Sequence, residues 1–284
     1  MNYFHKMKLI ADSGSTKTDW CGLENGEKTF YKTQGINPFW MTENQIQQII
    51  QLELLPQISH SQGFSEIYFY GAGCVADKIN VIKNILQTFF HANKIEVHSD
   101  LLAAARATAA KEKGLILIIG TGSNSGLYDG EKFIQQIPSL GFLLGDEGSG
   151  SWLGKRIVAD YFRKNLPEKM YESVDKMMPE KSFTEFNALL KQQILQGRFL
   201  AQFAVALKEH SNTEYAKSIV NRGFESLFDN VMVHYDGFEK YPLYAVGSVA
   251  FHFADELKNV AKTFNCTFEK IIQSPMEDLV KFHE

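Results

Sequence analysis

Short apolar runs separated by polar turns open the chain, and segments of helical periodicity follow them. The first three runs span residues 9–11, 19–23 and 28–33, and the pair Asn25-Gly26 between the last two is typical of a two-residue β-hairpin. We therefore expect the chain to begin as a three-stranded antiparallel meander.

After the meander, strand-like runs alternate with helical stripes. Thr42, with Gln45 three residues later, predicts a capping box at the start of a helix of about 14 residues. Strands are predicted over residues 66–70 and 94–98, and a helix over residues 81–89 lies between them. This alternation is typical of an α/β fold with a largely parallel continuation.

The opening pattern returns in the middle of the chain. Residues 115–130 again form an apolar strand, a turn of Gly, Ser and Thr and a second strand, and a further strand is predicted over residues 133–137. Two copies of one pattern predict a structural duplication. We therefore expect two domains, residues 1–112 and 113–284, with the last helix a candidate to pack back on the first domain.

The second half is dominated by helical spacing. This spacing runs from residue 151 to about residue 236, and its aromatic positions are expected in the core. A strand over residues 243–246 then precedes a helix predicted over residues 251–262, and Pro275 lies in the first turn of a last short helix.

Composition and charge exclude several classes of protein. The chain has 284 residues, 44 % of them apolar and 22 % charged, and its net charge of −4 with no Lys/Arg block argues against nucleic acid or an anionic membrane as partner. Cys21, Cys74 and Cys266 form no C-x-x-C pattern, so we expect reduced thiols in a cytoplasm. Residues 1–16 lack a signal-peptide core, and the longest strongly apolar run, residues 115–119, is too short to span a bilayer.

The first candidate site is the turn of residues 12–18, which reads Asp-Ser-Gly-Ser-Thr-Lys-Thr. Gly14 tolerates a left-handed backbone and the close approach of an anion, and the neighbouring hydroxyls can bind phosphate. Asp12 would repel phosphate unless a cation lay between them, so we expect Mg²⁺ to bridge Asp12 to a nucleotide while Lys17 balances the charge. The alternative is an ordinary hairpin with a polar turn.

A second hydroxyl-rich turn, residues 120–126, follows the apolar strand of the repeat. Two such turns facing each other could hold a polyphosphate through backbone N–H groups and hydroxyls, so the pair predicts a nucleotide site more strongly than either turn alone. The later strand, Gly247-Ser248 turn and helix form a candidate seat for the nucleoside end.

Asp100 allows two interpretations. Ser99 is suited to cap the alanine-rich helix that follows, and Asp100 in the first turn would interact favourably with the helix macrodipole. The functional interpretation is a general base at the carboxyl end of a strand, where ligands bind in open α/β sheets. Residues 71–76 match G-x-G-x-x-A, but the acidic partner expected of a dinucleotide site is not clearly placed.

Residues 141–154 are the most glycine-dense segment. Gly154-Lys155 is not followed by Ser or Thr, which excludes a Walker A loop. Glycine at this density is explained if something approaches the main chain closely, and Asp146-Glu147 adds paired carboxylates. A flexible surface loop is the alternative.

Five motifs, in order along nearly the whole chain, resemble those of the sugar kinase/heat-shock ATPase/actin superfamily and, within it, the N-acetylglucosamine kinase and BadF-type ATPase family. They are ADSGSTKTDW, SDLLAAARA, LIIGTGSNSGLYDG, GDEGSGSWLG and YAVGSVA. The resemblance implies an α/β fold of two ribonuclease-H-like, actin-like ATPase domains with a nucleotide cleft between them.

The resemblance also implies roles for single residues. Asp12 would hold Mg²⁺, and Asp100 would be the catalytic base that accepts a proton from a sugar hydroxyl as it attacks the γ-phosphate of ATP. The residues implied in nucleotide binding are Gly14, Ser15, Thr16, Lys17, Gly120, Thr121, Gly122, Ser123, Gly247 and Ser248. Those implied in sugar binding are Asn37, Asn124, Asp146 and Glu147.

The implied function is ATP-dependent phosphorylation of a hexosamine, first of all N-acetylglucosamine to N-acetylglucosamine 6-phosphate. The expected partners are ATP and a small sugar, and a homodimer is the candidate assembly. Two alternatives stay open, a BadF-type ATPase that activates a partner enzyme and a non-catalytic sensor of sugar or nucleotide. Activator ATPases would need cysteines for an iron–sulfur cluster, and the three cysteines here lie in unrelated contexts.

Overall fold

The computed structural model describes residues 7–58 and 63–284, which divide into two compact units. The first contains the described residues up to Ala110 together with Pro275–Glu284, and the second is Lys111–Ser274. The expectation that no signal peptide is present falls partly on residues 1–6, which lie outside the described residues.

The described residues form ten strands and thirteen α-helices. The strands are β1 (Lys8–Ser13), β2 (Lys17–Glu24), β3 (Glu27–Gln34), β4 (Phe64–Gly71), β5 (Ala92–Ser99), β6 (Gly114–Ile119), β7 (Ser123–Tyr128), β8 (Phe133–Gln135), β9 (Leu243–Val246) and β10 (Phe268–Ile272). The helices are α1 (Glu43–Ile49), α2 (Lys78–Phe89), α3 (Asp100–Thr108), α4 (Gly141–Leu144), α5 (Gly150–Phe162), α6 (Glu168–Met177), α7 (Phe183–Gln192), α8 (Gln196–Ala201), α9 (Val205–Glu209), α10 (Glu214–Asn230), α11 (Ser248–His252), α12 (Ala254–Thr263) and α13 (Met276–His283). A π-helical turn lies at Ile50–Leu54, and short 3₁₀ turns lie at Gln202–Ala204, Met232–His234 and Phe238–Lys240.

The sheet of the first unit has the strand order β3-β2-β1-β4-β5. The first three strands form the predicted antiparallel meander, and β4 and β5 run parallel to β1. Asn25 and Gly26 close the hairpin with φ angles of 50° and 86°, the left-handed conformation that an Asn-Gly turn favours. The meander prediction is therefore confirmed.

Helices complete the core of the first unit. The capping box at Thr42 and Gln45 is present, and α1 continues directly into the π-helical turn Ile50–Leu54, so one helical rod covers most of the predicted length. Trp20 and Phe69 are fully buried in the sheet, and Leu279 of α13 is fully buried in the same unit. The chain thus returns at its last helix to the first unit, where α13 packs against α3, β1 and β2.

The second unit repeats the topology of the first. Its strand order is β10-β9-β6-β7-β8, in which β6, β7 and β8 form an antiparallel meander and β9 and β10 run parallel to β6. The predicted duplication is confirmed, because strands of the same kind occupy the same positions in both sheets.

A helical subdomain supplies most of the core of the second unit. The apolar positions at helical spacing are buried as expected, with Phe203, Phe224 and Phe228 at 0 % exposure. The predicted helix over residues 251–262 is wrong in its details, because α11 begins at Ser248 directly after a glycine and Phe253, outside the helical region at φ −118°, separates it from α12.

Candidate active site

Three strand ends converge on one edge of the first sheet. In the register of the sheet, Asp12 of β1 pairs with Tyr70 of β4, and Gly71 at the end of β4 pairs with Ser99 at the end of β5. Asp100 follows Ser99 directly as the first residue of α3. Asp12 and Asp100 therefore lie at the carboxyl edge of the parallel strands, the edge at which open α/β sheets bind ligands.

Asp12 is surrounded by negative charge. Asp19 is its cross-strand partner on β2, which places two carboxylates directly opposite each other. Burial, together with the charges of Asp100 and Asp19, raises the pKa of Asp12 to about 7, and the charge of Lys17 works in the opposite direction. An electrostatic arrangement of this kind favours the arrival of a cation.

Asp100 combines a capping geometry with an unusual environment. Ser99 caps α3 by accepting a hydrogen bond from the Leu102 backbone N–H, and the Asp100 Oδ1 accepts one from the Leu101 N–H at 2.9 Å. Burial raises the pKa of Asp100, although the backbone N–H groups of Leu101 and of Asp100 itself act against the rise. Both interpretations from the sequence are thus compatible with its position, since a first-turn carboxylate can also serve as a base.

The first hydroxyl-rich turn packs against the segment that directly follows β3. Gly14 N donates to Lys17 O at 3.0 Å, and Ser13 Oγ lies 2.9 Å from both the carbonyl O and the N of Ile36. Gly35 fits against the turn so closely that a Cβ there would lie 2.3 Å from Gly14 O. Packing therefore fixes the conformation of the turn before any ligand binds.

Asp19 is a residue that the sequence analysis did not single out. Its Oδ2 lies 2.5 Å from the Lys17 Nζ, so the lysine expected to balance phosphate charge is paired with this carboxylate. The sequence signal that could have identified Asp19 is its position in β2, because counting residues outward from the turn places it opposite Asp12 on β1.

Asn37 is brought to the same edge by a glycine. Its Oδ1 accepts a hydrogen bond from the Phe39 N–H at 2.9 Å, and a Cβ on Gly73 would lie only 2.2 Å from that oxygen. Gly73 also has a φ of +78°, which favours glycine. The second glycine of the G-x-G-x-x-A string at the end of β4 is therefore explained by its packing against the Asn37 side chain.

The second turn is joined to the start of α5. The N–H groups of Gly150 and Ser151 donate to the carbonyl oxygens of Gly120 and Thr121 at 2.8 and 2.9 Å. Ser149 caps the helix by accepting from Trp152 N. The first turn of α5 thus satisfies its free N–H groups on the backbone of the hydroxyl-rich turn.

Asp146 lies directly against this second turn. Its Oδ1 accepts a hydrogen bond from the Ser123 N–H at 3.2 Å, and a Cβ on Gly122 would lie 2.9 Å from its Oδ2. Burial raises the pKa of Asp146, and the Ser123 N–H and the charge of Lys155 oppose the rise. Asn124, the next residue along β7, accepts from the Ser125 N–H through its own side chain.

The glycines of residues 145–154 pack against the protein itself, whereas Gly141 faces open space. A Cβ on Gly154 would lie 1.9 Å from Leu200 O, and Gly148, at φ +71°, would meet Phe224 at 3.1 Å. The close approach that their density predicted is made by α8 and α10. The segment also contains the short helix α4 and leads into α5, which begins at Gly150, one residue before the helix start that the loop alternative assumed.

Gly247 joins the third motif of the second unit to the second turn. Its φ is +130°, and a Cβ would lie 2.3 Å from Ile119 O and 3.1 Å from Gly120 N. Ser248, the first residue of α11, is exposed beside it. Within this unit the fold therefore brings together the residues of the second turn, Asp146 with Glu147 after it, and the Gly247-Ser248 pair.

The chemistry of the described side chains sets limits on a metal site. Among residues 7–58 and 63–284, no group of three or more His, Cys, Asp or Glu side chains has the geometry to hold a metal ion. Mg²⁺ is commonly bound by one or two carboxylates together with substrate phosphates and water, and Asp12 fits that requirement.

Comparison with known proteins places this arrangement in a family. No family model matches the chain, and no curated protein matches it. A solved structure from Porphyromonas gingivalis, described as a "putative N-acetylglucosamine kinase", is 35 % identical and matches with a TM-score of 0.91 over 98 % of both chains. The chain belongs to the N-acetylglucosamine kinase and BadF-type ATPase family.

More distant structures show that the family fold is the actin-like ATPase fold expected from the motifs. A second "putative N-acetylglucosamine kinase", from Chromobacterium violaceum, is 14 % identical with a TM-score of 0.75 over 99 % of both chains. A ROK hexokinase from Thermus thermophilus is 12 % identical with a TM-score of 0.58, covering 97 % of this chain and 98 % of the other. Within residues 7–58 and 63–284 of this chain, no helix is both long enough and apolar enough to cross a bilayer.

Proposed function

We propose that this protein, an ATP-dependent carbohydrate kinase, transfers the γ-phosphoryl group of ATP to the 6-hydroxyl of N-acetylglucosamine. The observation that carries the proposal is the 35 % identity to the Porphyromonas gingivalis protein over nearly the full length of both chains. The closeness of Asp100 to Asp12 at one sheet edge supports it further, because phosphoryl transfer needs a base beside the site where phosphate charge is neutralised.

Asp100 is the proposed catalytic base. Its raised pKa strengthens it as a proton acceptor for a sugar hydroxyl, and its Oδ2 is the oxygen left for this task, since Oδ1 accepts the Leu101 N–H. The helix that begins at Asp100 fixes the carboxylate, so the base does not have to be ordered when the sugar binds.

The two hydroxyl-rich turns are the proposed phosphate-binding elements, one from each unit. Their members are Gly14, Ser15, Thr16 and Lys17 in the first and Gly120, Thr121, Gly122 and Ser123 in the second. Backbone N–H groups, hydroxyls and the Lys17 ammonium suit the oxygens of a polyphosphate. Gly247 and Ser248 are the proposed contacts of the adenosine end, next to the second turn.

Mg²⁺ is the proposed metal, and Asp12 is the residue that would hold it. When bound, the ion would neutralise phosphate charge during transfer. Asp12 fits this role because its carboxylate is partly buried among other acids, where a cation lowers the electrostatic cost of its charge.

The proposed sugar ligands are Asn37, Asn124, Asp146 and Glu147. An amide side chain can both donate to hydroxyl groups and accept from them, and a carboxylate can accept from them, which suits a hexosamine ring. Asn37 lies at the edge that holds Asp100, and Asp146 lies against the second turn.

An assay of ADP release over a panel of hexoses and N-acetylhexosamines tests the proposal. We expect N-acetylglucosamine to stimulate ADP release above the basal rate more than other sugars, with a 6-phosphate as product by NMR. If no sugar changes the basal rate, the proposal is wrong: steady ATP hydrolysis would then indicate the ATPase alternative, and ligand binding without turnover would indicate a sensor.

A further inference from the structure

Tyr70 is a fully buried tyrosine whose hydroxyl contacts two other polar side chains. It lies in β4, where it is the register partner of Asp12 in β1. Its hydroxyl accepts a hydrogen bond from a guanidinium N–H of Arg106 in α3 and lies 2.8 Å from the Nε2 of His283 in α13. One hydroxyl therefore connects a strand of the candidate site, the helix that begins at Asp100 and the last helix of the chain.

The chemistry of these three groups fixes the direction of their hydrogen bonds. A guanidinium can only donate, so the Tyr70 oxygen is the acceptor toward Arg106, and the Tyr70 O–H is left to donate to His283. Burial raises the pKa of Tyr70 to about 12 and lowers the pKa of His283 to about 3, so at neutral pH the phenol keeps its proton and the imidazole is neutral. Each group thus has the partner that its protonation state requires.

Aromatic rings pack against both ends of this network. The Arg106 guanidinium lies over the rings of Tyr70 and Phe282, 5.6 and 5.3 Å from their centroids. The His283 ring stacks on the Tyr68 ring with 3.8 Å between centroids. A rotation of either polar side chain away from the hydroxyl would break these ring contacts as well, so packing and hydrogen bonding favour the same geometry.

The helix α3 joins this network to Asp100. Arg106 and Asp100 belong to one helix of nine residues and lie roughly 1.7 turns apart. Residues 101–105 between them are Leu and Ala, which pack against neighbours but form no side-chain hydrogen bonds. The hydroxyls of Ser99 and Thr108 bond to the backbone of α3 itself. Arg106 therefore supplies a directional contact that fixes α3 relative to the sheet.

We infer that Tyr70, Arg106 and His283 are positioning residues, which fix α3 on the sheet and thereby hold the Asp100 carboxylate in place. The inference rests on the proposed function, in which Asp100 accepts the proton of the sugar hydroxyl. Such a base depends on its position, because a misplacement of about 1 Å can cost on the order of 100-fold in rate. The last helix then contributes to the reaction without touching sugar or nucleotide.

The test is Tyr70→Phe, with Tyr68→Phe as its matched control. Tyr70→Phe removes the hydroxyl that joins Arg106 to His283 and keeps the ring. We expect kcat for sugar phosphorylation to fall by about 10-fold or more and the KM for ATP to stay unchanged, because the proposed phosphate turns lie outside the network. Tyr68→Phe removes a hydroxyl from the same strand and keeps the ring stacked on His283, so its kcat should match the wild type. A wild-type kcat in Tyr70→Phe, or an equal loss in Tyr68→Phe, would overturn the inference.

Two further comparisons separate positioning of Asp100 from general support of the fold. Adding Tyr70→Phe to Asp100→Asn should leave the residual kcat unchanged, because the network acts through the group already removed. A further loss of the same size would overturn the inference. His283→Gln keeps an acceptor for the Tyr70 hydroxyl and should retain more of kcat than His283→Leu. Equal losses in these two variants would also overturn it.

Hydrogen exchange followed by mass spectrometry distinguishes failure of the inference from failure of the proposed function, because it needs no substrate. We expect the peptide that covers α3 to exchange faster in Tyr70→Phe than in Tyr68→Phe, and peptides of β6 and β7 to exchange as in the wild type. Faster exchange of α3 in a protein that phosphorylates no sugar would leave the network intact and remove its role toward a base. Unchanged exchange of α3 in an active kinase would overturn the inference alone.

Discussion

At the scale of single residues, the first unit concentrates charge where folding alone would avoid it. The charges of Asp19 and Asp100 both act on Asp12, and Lys17 is the cation that opposes them. Like charges opposite each other on neighbouring strands are destabilising. The cluster is therefore better explained by a cationic ligand than by stability.

Asp100→Asn tests the proposed base. The change keeps an acceptor for the Leu101 N–H but removes the proton acceptor, so we expect sugar phosphorylation to fall by about 10²–10⁴-fold. ADP binding, measured by calorimetry, should stay close to that of the wild type. Asp77→Asn is the matched control, since Asp77 precedes α2 without a side-chain capping bond. Undiminished turnover in Asp100→Asn would remove this residue from the mechanism.

Asp12→Asn tests the electrostatic cost of the cluster in metal-free protein. The folded-state pKa of Asp12 is raised to about 7 from an ordinary value of 3.8, so the stability that its protonated form contributes is present below pH 3.8 and is lost as the pH rises through 7. We expect Asp12→Asn to melt a few degrees higher than the wild type at pH 8 and at the same temperature near pH 4. An equal melting difference at both pH values would contradict this cause.

The residues of the site could be predicted from the sequence only where the local motif contains the information. The turn hydroxyls, Asp12 and Asp100 stand in recognisable strings, and their roles stay predictions. Asp19 was missed because its importance depends on strand register across the turn. Tyr70 was not singled out, because its contact with Arg106 is made only when α3 packs against β4.

At the scale of elements, glycines decide how closely the motifs meet. Gly247 lets β9 turn into α11 against the backbone of Ile119, and Gly35 does the same below the first turn. These contacts leave no room for a Cβ, so the elements on both sides are fixed by close packing of main chain on main chain.

Gly247→Ala tests this packing. A Cβ there would lie 2.3 Å from Ile119 O at a φ of +130°, so we expect a loss of unfolding free energy above about 1 kcal/mol together with weaker ADP binding. Urea unfolding followed by Trp152 fluorescence measures the loss. Gly237→Ala is the control, because that glycine also has a positive φ of +67° but meets only the flexible Lys240 side chain. Equal losses in both variants would mean that backbone strain, and not the close approach, sets the cost.

Elements with strong local signals were predicted and weaker ones were not. Alternation, the Asn-Gly turn and the capping box identified the meander and α1. β10 was missed because Phe268–Ile272 lies at one edge of its sheet and has neither apolar alternation nor a turn signal to mark it. α4 was missed because a four-residue helix that begins with a glycine and ends before another is too short to show a periodic pattern of apolar residues.

At the scale of the whole molecule, one topology is used twice. Each unit sets a three-stranded meander beside two parallel strands, and in each unit the hydroxyl-rich turn connects the first two strands. The sequence pattern was sufficient to predict the duplication because the same turn chemistry recurs after the same apolar strand. The units differ in what surrounds the sheet, since only the second carries the large helical subdomain.

The last helix is the part of the chain that ties the first unit together. Leu279 is fully buried there, so we expect Leu279→Ala to lower the stability of that unit by about 2–5 kcal/mol. Trp20 and Trp152 lie in different units, and single-tryptophan variants followed in urea would assign the loss. The exposed Lys281→Ala is the control. A loss reported by Trp152 but not by Trp20 would contradict the assignment of α13 to the first unit.

The return of Pro275–Glu284 to the first unit also orders events on the ribosome. Lys111–Ser274 is continuous and can reach its native packing as it emerges, whereas the first unit waits for ten residues that are translated after all of the second. At about 5–20 residues per second the wait lasts roughly 10–30 s. Through that interval the apolar surface later covered by Leu279 and Val280 stays open to solvent, which makes the nascent chain a natural client for chaperones.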